Sequence, residues 1–227
     1  VADTGNHTIR RITPAGLVST FAGSAGNGGS SDGAGSLATF YYPKGIAADS
    51  AGNVYVSSGN QIRKITAAGM VTTLAGSSNG STDGTGSAAL FYVPAGLAVD
   101  NAGNVYVADS FNSTIRKVTP DGVVTTLAGS PGMLGSADGT GSAARFNYPR
   151  AVTVDSAGNV YVADNINRTI RKITPNGVVT TLVGTGQFGD PRGIVVDPSG
   201  NLYVSDAFTM YNLRKIKSAI SNPRSAM

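Results

Sequence analysis

One unit of sequence recurs four times along the 227 residues, and it constrains the fold more than any other feature. The copies read GIAADSAGNVYVSS, GLAVDNAGNVYVAD, AVTVDSAGNVYVAD and GIVVDPSGNLYVSD. Their aligned aspartates stand 51, 55 and 42 residues apart and are Asp49, Asp100, Asp155 and Asp197. A period of roughly 40 to 50 residues is typical of β-propeller blades, and the unequal spacing indicates that the loops between strands differ in length.

Each copy divides into four short segments rich in Val, Ile, Tyr and Thr, called here strands a, b, c and d in chain order. In the copy that starts at Pro149 they read AVTVD, NVYVAD, TIRKIT and VVTTLV. The a-to-b turn offers Asp155 as an acceptor for turn amides, and Gly158 and Asn159 for positive φ. A four-stranded antiparallel meander cannot bury both faces alone, so we expect the copies to pack around a central axis as propeller blades.

The composition also favours strands joined by turns. The chain has 31 glycines, no Trp and no Cys, and all 13 of its acidic residues are Asp, which favours turns where Glu favours helix interiors. A disulfide scaffold is therefore excluded, and no apolar stretch is long enough to span a bilayer. The net charge of +4 is modest, and the 17 Lys and Arg are spread along the chain, which argues against a nucleic-acid-binding arm.

Three segments carry a family resemblance, namely VADTGNHTIRRI, VADSFNSTIRKV and VADNINRTIRKI. Each is followed by a turn and a fourth strand, and the repeated unit carries P-x-G-I-A-V-D ahead of it. This pattern resembles NHL repeats over residues 1–217, with residues 218–227 as an aperiodic C-terminal tail. The resemblance implies an all-β propeller of four-stranded antiparallel blades, with strand a lining the channel. Such propellers usually bind proteins, RNA or small ligands, and a few related propellers are enzymes.

The strand count leaves the closure of the ring open. The N-terminus supplies strands b, c and d, three complete units follow, and the C-terminus supplies strands a, b and c. Because both ends contain b and c, they cannot together complete one four-stranded blade. The five sectors therefore either form a ring with two three-stranded blades or belong to a longer propeller. We favour a six-bladed parent, of which this chain is a part that lacks strand a of its first blade.

Antiparallel order places the d-to-a and b-to-c loops on one face, called here the loop face, and the compact turns on the other. Variable loops on one side of a rigid repeat are where such folds place recognition. The residue after the proline that precedes strand a would stand at the channel mouth. Three such residues are cationic, and a fourth is Ala95. These candidate binding residues for an anionic small ligand or an acidic peptide are Lys44, Arg150 and Arg192. The alternative is that they cap carbonyls or remain solvated.

Three d-to-a loops are long and alike, and each contains an Asp-Gly pair, a Ser and a Phe. The candidate calcium ligands are Asp32, Asp83 and Asp138. We favour a structural role, in which Asp and Ser cap one helical turn, because calcium takes six or more oxygens and each loop offers one carboxylate. The residues expected to plug the gaps between blades are Phe40, Phe91 and Phe146. The prediction is thus no cofactor, with calcium as the alternative.

The basic pairs of strand c, such as Arg116-Lys117, raise the question of RNA binding. Strand alternation sends the two members to opposite faces, where the stems pack and the heads find carbonyls or Asp, so we expect no nucleic-acid role. His7, the one histidine, falls in an exposed b-to-c loop where other copies have Ser113 and Arg168, and we interpret it as a loop residue. The N-glycosylation sequons at exposed turns are Asn6, Asn79, Asn112 and Asn167.

With one His, no Cys and no Glu, the chain has few groups for metal-dependent or nucleophilic catalysis. We predict a non-catalytic binding or scaffold module that recognises a protein partner, or assembles with itself, through the loop face. The Gly-, Ser-, Thr- and Asn-rich composition without Glu favours an extracellular, secreted or cell-surface location. Two alternatives remain: a hydrolase or lyase with an axial metal site, and a structural subunit of an extracellular assembly.

Overall fold

A computed structural model describes residues 1–207 and 212–217. Within these ranges it contains 21 strands, arranged in five antiparallel sheets, and five short 3-10 helices. The sheets form successive blades of a β-propeller, which confirms the all-β fold class. None of the helices described is long and apolar enough to cross a membrane. The predicted tail, residues 218–227, lies outside the described residues.

The blades are numbered 1 to 5 along the chain. Blade 1 contains β1 (Ala2–Asp3), β2 (Thr8–Ile12) and β3 (Val18–Ala22). Blade 2 contains β4 (Gly33–Ala34), β5 (Ile46–Ala48), β6 (Val54–Ser58), β7 (Gln61–Ile65) and β8 (Met70–Ala75). Blade 3 contains β9 (Gly84–Thr85), β10 (Pro94–Val99), β11 (Val105–Asp109), β12 (Thr114–Val118) and β13 (Val123–Ala128). Blade 4 contains β14 (Gly139–Thr140), β15 (Pro149–Val154), β16 (Val160–Asp164), β17 (Thr169–Ile173) and β18 (Val178–Val183). Blade 5 contains β19 (Pro191–Val196), β20 (Leu202–Asp206) and β21 (Asn212–Ile216). The 3-10 helices are Thr4–Asn6, Gly35–Leu37, Gly86–Ala88, Ser110–Asn112 and Gly141–Ala143.

Blades 2, 3 and 4 each have five strands, so the prediction of four-stranded blades was incomplete. The order in blade 3 is β10-β11-β12-β13-β9, in which the first four strands are a to d. The fifth strand is a short extended segment within the long d-to-a loop, and it pairs with the outer edge of strand d through Val123 opposite Thr85. This pairing covers an edge that would otherwise expose unpaired backbone groups. Within the described residues, blades 1 and 5 have three strands each, and the six-bladed parent stays a prediction.

The hydrophobic core lies between neighbouring blades. One cluster joins Ile115 of blade 3 to Val162 of blade 4, and a similar cluster lies at each of the other junctions between successive blades. Side chains from the d-to-a loops complete all four clusters: Phe188 is 5% exposed, and three others are fully buried, namely Phe40, Phe91 and Phe146. Their positions confirm the plug that the sequence predicts, and they fix the loops against the blades.

The a strands lie side by side around the channel, with β10 against β5 and β15, and β15 against β19. Their spacing near the mouth depends on small residues. A Cβ added to Gly45 would lie 2.2 Å from the carbonyl oxygen of Ala95, and one added to Gly96 would lie 2.7 Å from the Cα of Ala151. The backbones of neighbouring blades therefore approach too closely at these points for a larger residue.

The a-to-b turns use their aspartate as predicted. The carboxylate of Asp155 accepts hydrogen bonds from the backbone N–H of Ala157 and Asn159 at 3.0 and 2.8 Å, and from the Tyr161 hydroxyl at 3.0 Å. Gly158 takes a positive φ of 79°, but Asn159 does not, which corrects that part of the prediction. The Asn159 side chain instead donates to Asp155. These contacts explain the repeated aspartate through turn structure alone.

Candidate binding face

The three cationic residues predicted at the channel mouth lie together. Lys44, Arg150 and Arg192 line one cavity of about 650 Å³ on the loop face. Each follows a buried proline at the start of strand a, and each side chain is exposed. Partial burial and the nearby positive charge of Arg150 lower the pKa of Lys44. The mouth therefore concentrates positive charge contributed by three different blades.

One carboxylate borders this cationic mouth. Arg192 contacts Asp190 at 2.7 Å, and Asn165 of blade 4 also donates a hydrogen bond to Asp190. The hydrogen bond from Arg192 lowers the pKa of Asp190, and the charge of Arg150 contributes to the same shift. Within residues 1–207 and 212–217, Lys44 and Arg150 form no ion pair. Acidic groups of the chain thus balance the mouth only in part.

Exposed aromatic rings continue from the mouth across the loop face. The ring centroids of Tyr92 and Phe111 lie 5.1 Å apart, and those of Phe111 and Tyr148 lie 5.2 Å apart. These three residues are called here the aromatic arc. Phe111 is 45% exposed, and Ile166 beside the same cavity is 56% exposed. Phe111 and Tyr148 also line the mouth cavity, so the arc and the cationic residues form one continuous surface.

Sequence reasoning missed the aromatic arc. A signal was present, because three d-to-a loops place a tyrosine within the two residues before the proline, and Phe111 lies in an NHL-like b-to-c loop. The sequence does not show that the ring of Phe111, from one blade, lies between rings carried by the d-to-a loops of two blades. This juxtaposition comes from the packing of blades 3 and 4.

The residues just before these prolines have left-handed backbone conformations. The φ angles of Tyr42, Val93 and Tyr148 are 45°, 52° and 51°, which is unfavourable for non-glycine residues and most unfavourable for β-branched Val93. In each case the backbone N–H donates to a b-to-c loop side chain of the preceding blade. The acceptors are His7 Nδ1 at 3.1 Å, Asn60 Oδ1 at 3.1 Å and Ser113 Oγ at 3.4 Å. Loops of one blade thus hold the backbone that leads into strand a of the next.

His7 therefore has a structural role in a loop. Besides accepting the hydrogen bond from Tyr42, its ring stacks on Tyr41 with centroids 6.1 Å apart and meets Tyr42 edge-on at 4.6 Å. The interpretation of His7 as a loop residue agrees with this geometry. The side chain is half-buried rather than exposed, because the two tyrosines of the next blade pack against it.

The candidate calcium ligands each meet a buried arginine of strand c. The ion pairs are Asp32–Arg63, Asp83–Arg116 and Asp138–Arg171, each at 2.7 Å. Asp32 also accepts hydrogen bonds from the backbone N–H and hydroxyl of Thr73. Burial would raise the pKa of Asp32, but the hydrogen bonds from Thr73 and Arg63 outweigh it and lower the pKa. These contacts support the structural role, while calcium binding stays an untested alternative.

The expected caps of the loop helices were wrong. The 3-10 helices Gly35–Leu37, Gly86–Ala88 and Gly141–Ala143 have no side-chain cap hydrogen bond. The aspartates instead bind arginine and threonine, as Asp32 does with Arg63 and Thr73. The three carboxylates lie one to a blade, and the described part of the chain has no group of three or more His, Cys, Asp or Glu placed to hold a metal ion.

A buried network of charges repeats in blades 3 and 4. Arg116 is fully buried, contacts Asp83, and donates to Asp109 at 2.9 Å and to the carbonyl oxygen of Leu90. Its guanidinium lies 5.1 Å from the ring centroid of Phe91. Burial raises the pKa of Asp109 to about 6, although hydrogen bonds from Asn112, Tyr92 and Arg116 oppose the shift. Arg171, Asp138, Asp164 and Phe146 repeat the arrangement.

The basic pairs of strand c pack as expected in blades 2, 3 and 4, whereas Arg11 of blade 1 and both members of the pair in blade 5 are exposed. Arg116 is buried on one face of blade 3, and Lys117 lies over the ring of Tyr106, with its Nζ 6.0 Å from the ring centroid. The guanidinium groups of Arg63, Arg116 and Arg171 bind loop carbonyls and aspartates inside the protein. Fully buried side chains cannot contact a nucleic acid backbone, so these three arginines form no basic stripe on the surface.

The four sequons differ in the environment of their asparagine. Asn79 and Asn6 are exposed, and Asn6 donates to Asp3. Asn112 is only 7% exposed and donates to Gly80 O and Asp109, which corrects the expectation of an exposed turn at that site. Asn167 is half-buried and uses its amide in the same way. A glycan on the folded protein would fit Asn79 and Asn6 far better than the other two, and glycosylation at any of them stays a prediction.

The fold defines the class of the protein, a β-propeller domain with a cationic cavity at the channel mouth on its loop face. Comparison with family models gives the family. A model described as the teneurin NHL domain matches residues 24–87 and 134–190, more than half of the chain, and one described as the NHL repeat matches residues 91–118. The chain belongs to the NHL-repeat family.

Relatives and solved structures agree with this assignment. NHL repeat-containing protein 2 of Bos taurus is 39% identical over 108 residues, which cover 42% of this chain and 15% of that protein. Virginiamycin B lyase from Staphylococcus aureus has a TM-score of 0.62 at 16% identity, over 96% of this chain and 65% of that one. A nidogen/laminin complex contains a chain with a TM-score of 0.63 at 18% identity, over 95% of this chain and 76% of that one. At these low identities the two structures show a shared fold alone. The chain spans only a small part of the curated relative.

Proposed function

We propose that this chain is a non-catalytic module that binds a protein partner through its loop face. The observation that carries the proposal is the aromatic arc, in which Tyr92, Phe111 and Tyr148 remain exposed beside an open cavity. Tyr and Phe are enriched in protein interfaces, where they bury large areas at low entropic cost. An exposed, contiguous aromatic surface on a rigid scaffold is suited to that use.

The chemistry of the mouth favours binding over catalysis. Its lining offers Lys and Arg side chains, small residues and aromatic rings, and the bordering carboxylate of Asp190 is held by Arg192 and Asn165. Metal-dependent hydrolysis or elimination would need carboxylate or imidazole ligands at such a position. The proposal includes an extracellular location, which the Gly-, Ser-, Thr- and Asn-rich composition without Glu supports.

Selection from a displayed library of random peptides would test the proposal. We expect enriched peptides whose affinity, measured by fluorescence anisotropy, falls at least tenfold in Phe111→Ala and Tyr148→Ala proteins. Leu17→Ala is the matched control, because Leu17 is 67% exposed but lies at a compact turn on the opposite face. Failure to enrich any peptide, or enriched peptides that bind all three variants equally, would contradict the proposal.

A further inference from the structure

We infer that the channel mouth is a carboxylate pocket, which takes the acidic side chains of a peptide segment while the adjacent aromatic arc takes an apolar side chain of the same segment. This inference rests on the proposed function and names the chemistry of its partner. The segment expected is an acidic one that carries an aromatic or large aliphatic residue. The surface that binds it consists of Lys44, Arg150 and Arg192 together with Phe111 and Tyr148.

Three positive charges converge at the channel mouth. Lys44, Arg150 and Arg192 come from blades 2, 4 and 5, yet they line one cavity. Partial burial and the charge of Arg150 already disfavour the protonated form of Lys44 and lower its pKa. Like charges held at a shared cavity repel one another, and an anionic ligand would relieve this repulsion.

Residues of the mouth already bind one carboxylate of the chain itself. Asp190 receives a hydrogen bond from the Arg192 Nε at 2.7 Å and another from Asn165. The mouth therefore has room for a carboxylate that accepts hydrogen bonds from a guanidinium and an amide. Lys44 and Arg150 have no such ion-pair partner among the residues described, and each exposes its charge to the same cavity.

Cations beside aromatic rings can also bind a single-stranded nucleic acid, which is the alternative ligand. Nucleic acid binding needs open ring faces for base stacking and a cationic groove that follows the phosphates. Here the rings of Phe111 and Tyr148 meet edge-on at 83°, and those of Tyr92 and Phe111 are tilted by 51°. The rings thus cover part of each other, and the cations converge on one cavity. Both features favour a peptide.

The cationic residues of the mouth and the aromatic arc form one continuous surface. Phe111, Tyr148 and Ile166 line the same cavity as the three cations. A peptide with side chains a few residues apart could therefore place a carboxylate at the cations and an apolar group on the arc. Charge-assisted contacts provide orientation, and the apolar contact provides buried area.

The test uses a fluorescein-labelled peptide with four glutamates around one phenylalanine, compared with a peptide in which glutamine replaces each glutamate. We expect the glutamate peptide to bind at least tenfold more tightly at low salt, with an affinity that falls as salt rises. In a Lys44→Ala/Arg150→Ala protein this preference should disappear. The control is Arg11→Ala/Lys217→Ala, which removes the same charge from two exposed positions, one in strand c of blade 1 and one just after strand c of blade 5, and should retain the preference.

Equal binding of the glutamate and glutamine peptides would overturn the inference, as would loss of the preference in both double variants. Tighter binding of a ten-nucleotide oligouridine, abolished by Lys44→Ala/Arg150→Ala, would assign the mouth to nucleic acid instead. The proposed function fails separately. If displayed peptides without acidic residues bind and depend on Phe111, the protein-binding role stands and only the carboxylate pocket is refuted.

Discussion

Arg63 and Arg116 provide a matched pair for measuring what the buried charge network contributes. Both side chains are fully buried, both bind a half-exposed aspartate at 2.7 Å, and both donate to loop carbonyl oxygens. They differ in one partner, because Arg116 also contacts fully buried Asp109 at 2.9 Å. In blade 2 the position of Asp109 is occupied by Ser58, which is buried but uncharged. Replacing each arginine by methionine therefore isolates the effect of Asp109.

The expected difference follows from the exposure of the carboxylates. Breaking a buried ion pair by removing one partner costs about 3–5 kcal/mol, whereas an ion pair with an exposed partner is worth about 0–1 kcal/mol. Both variants lose the carbonyl hydrogen bonds, so this cost is common to them. Arg116→Met should therefore lower the free energy of unfolding by about 3 kcal/mol more than Arg63→Met, because only Asp109 is left as an unpaired buried charge.

Equilibrium urea unfolding followed by far-UV circular dichroism would measure the difference at pH 8. Adding Asp109→Asn to Arg116→Met should recover about half of it, since the substitution removes the buried charge and its Oδ1 can still accept from the Tyr92 N–H, while its Nδ2 cannot accept from Asn112. At pH 5 the difference should shrink, because burial raises the pKa of Asp109 to about 6 and protonation then removes the buried charge. Equal destabilisation by the two arginine variants at pH 8, or a difference independent of pH, would refute the reasoning.

Two further predictions concern the channel and pH. Gly45→Ala should lower the free energy of unfolding by about 1–3 kcal/mol, because its Cβ would lie 2.2 Å from the Ala95 carbonyl oxygen. The control is Gly5→Ala, whose Cβ would meet nothing within 4 Å and should change that free energy little. Thermal unfolding would compare the two variants. The unmutated protein should become more stable as pH falls from 7 to 5, because the folded-state pKa of Asp109 and of Asp164, about 6, exceeds the unfolded value, so the folded state binds more protons there. A urea unfolding midpoint that falls as pH is lowered from 7 to 5 would contradict the predicted gain in stability.

The sequence predicted the features that depend on the repeat. Period, turn residues and strand pattern were enough for the all-β propeller, for the buried phenylalanine plugs and for the inward packing of Arg63, Arg116 and Arg171. The convergence of Lys44, Arg150 and Arg192 could also be predicted, because equivalent positions in successive blades must lie around one axis. Each of these inferences gives a residue the structural position of its equivalent in another copy, and the repeat makes this assignment reliable.

The features that the sequence did not predict depend on contacts between different parts of the repeat. The outer fifth strand forms because a loop that starts in one blade runs along the edge of the next. The aromatic arc forms because Phe111 lies between Tyr92 and Tyr148, which belong to different d-to-a loops. The loop aspartates were expected to cap helices, yet they bind arginines about 31 to 33 residues later in the chain. Such pairings are set by blade packing and have no local sequence signature.

Ala95 at the mouth has a consequence for the direction in which a ligand can bind. If every blade placed a cation at this position, a bound anion could rotate from blade to blade among orientations of nearly equal energy. Blade 3 instead contributes a neutral methyl group, while blades 2, 4 and 5 contribute Lys44, Arg150 and Arg192. This one small residue breaks the rotational degeneracy of the repeat, so that the acidic segment proposed above would have a defined polarity on a nearly symmetric surface.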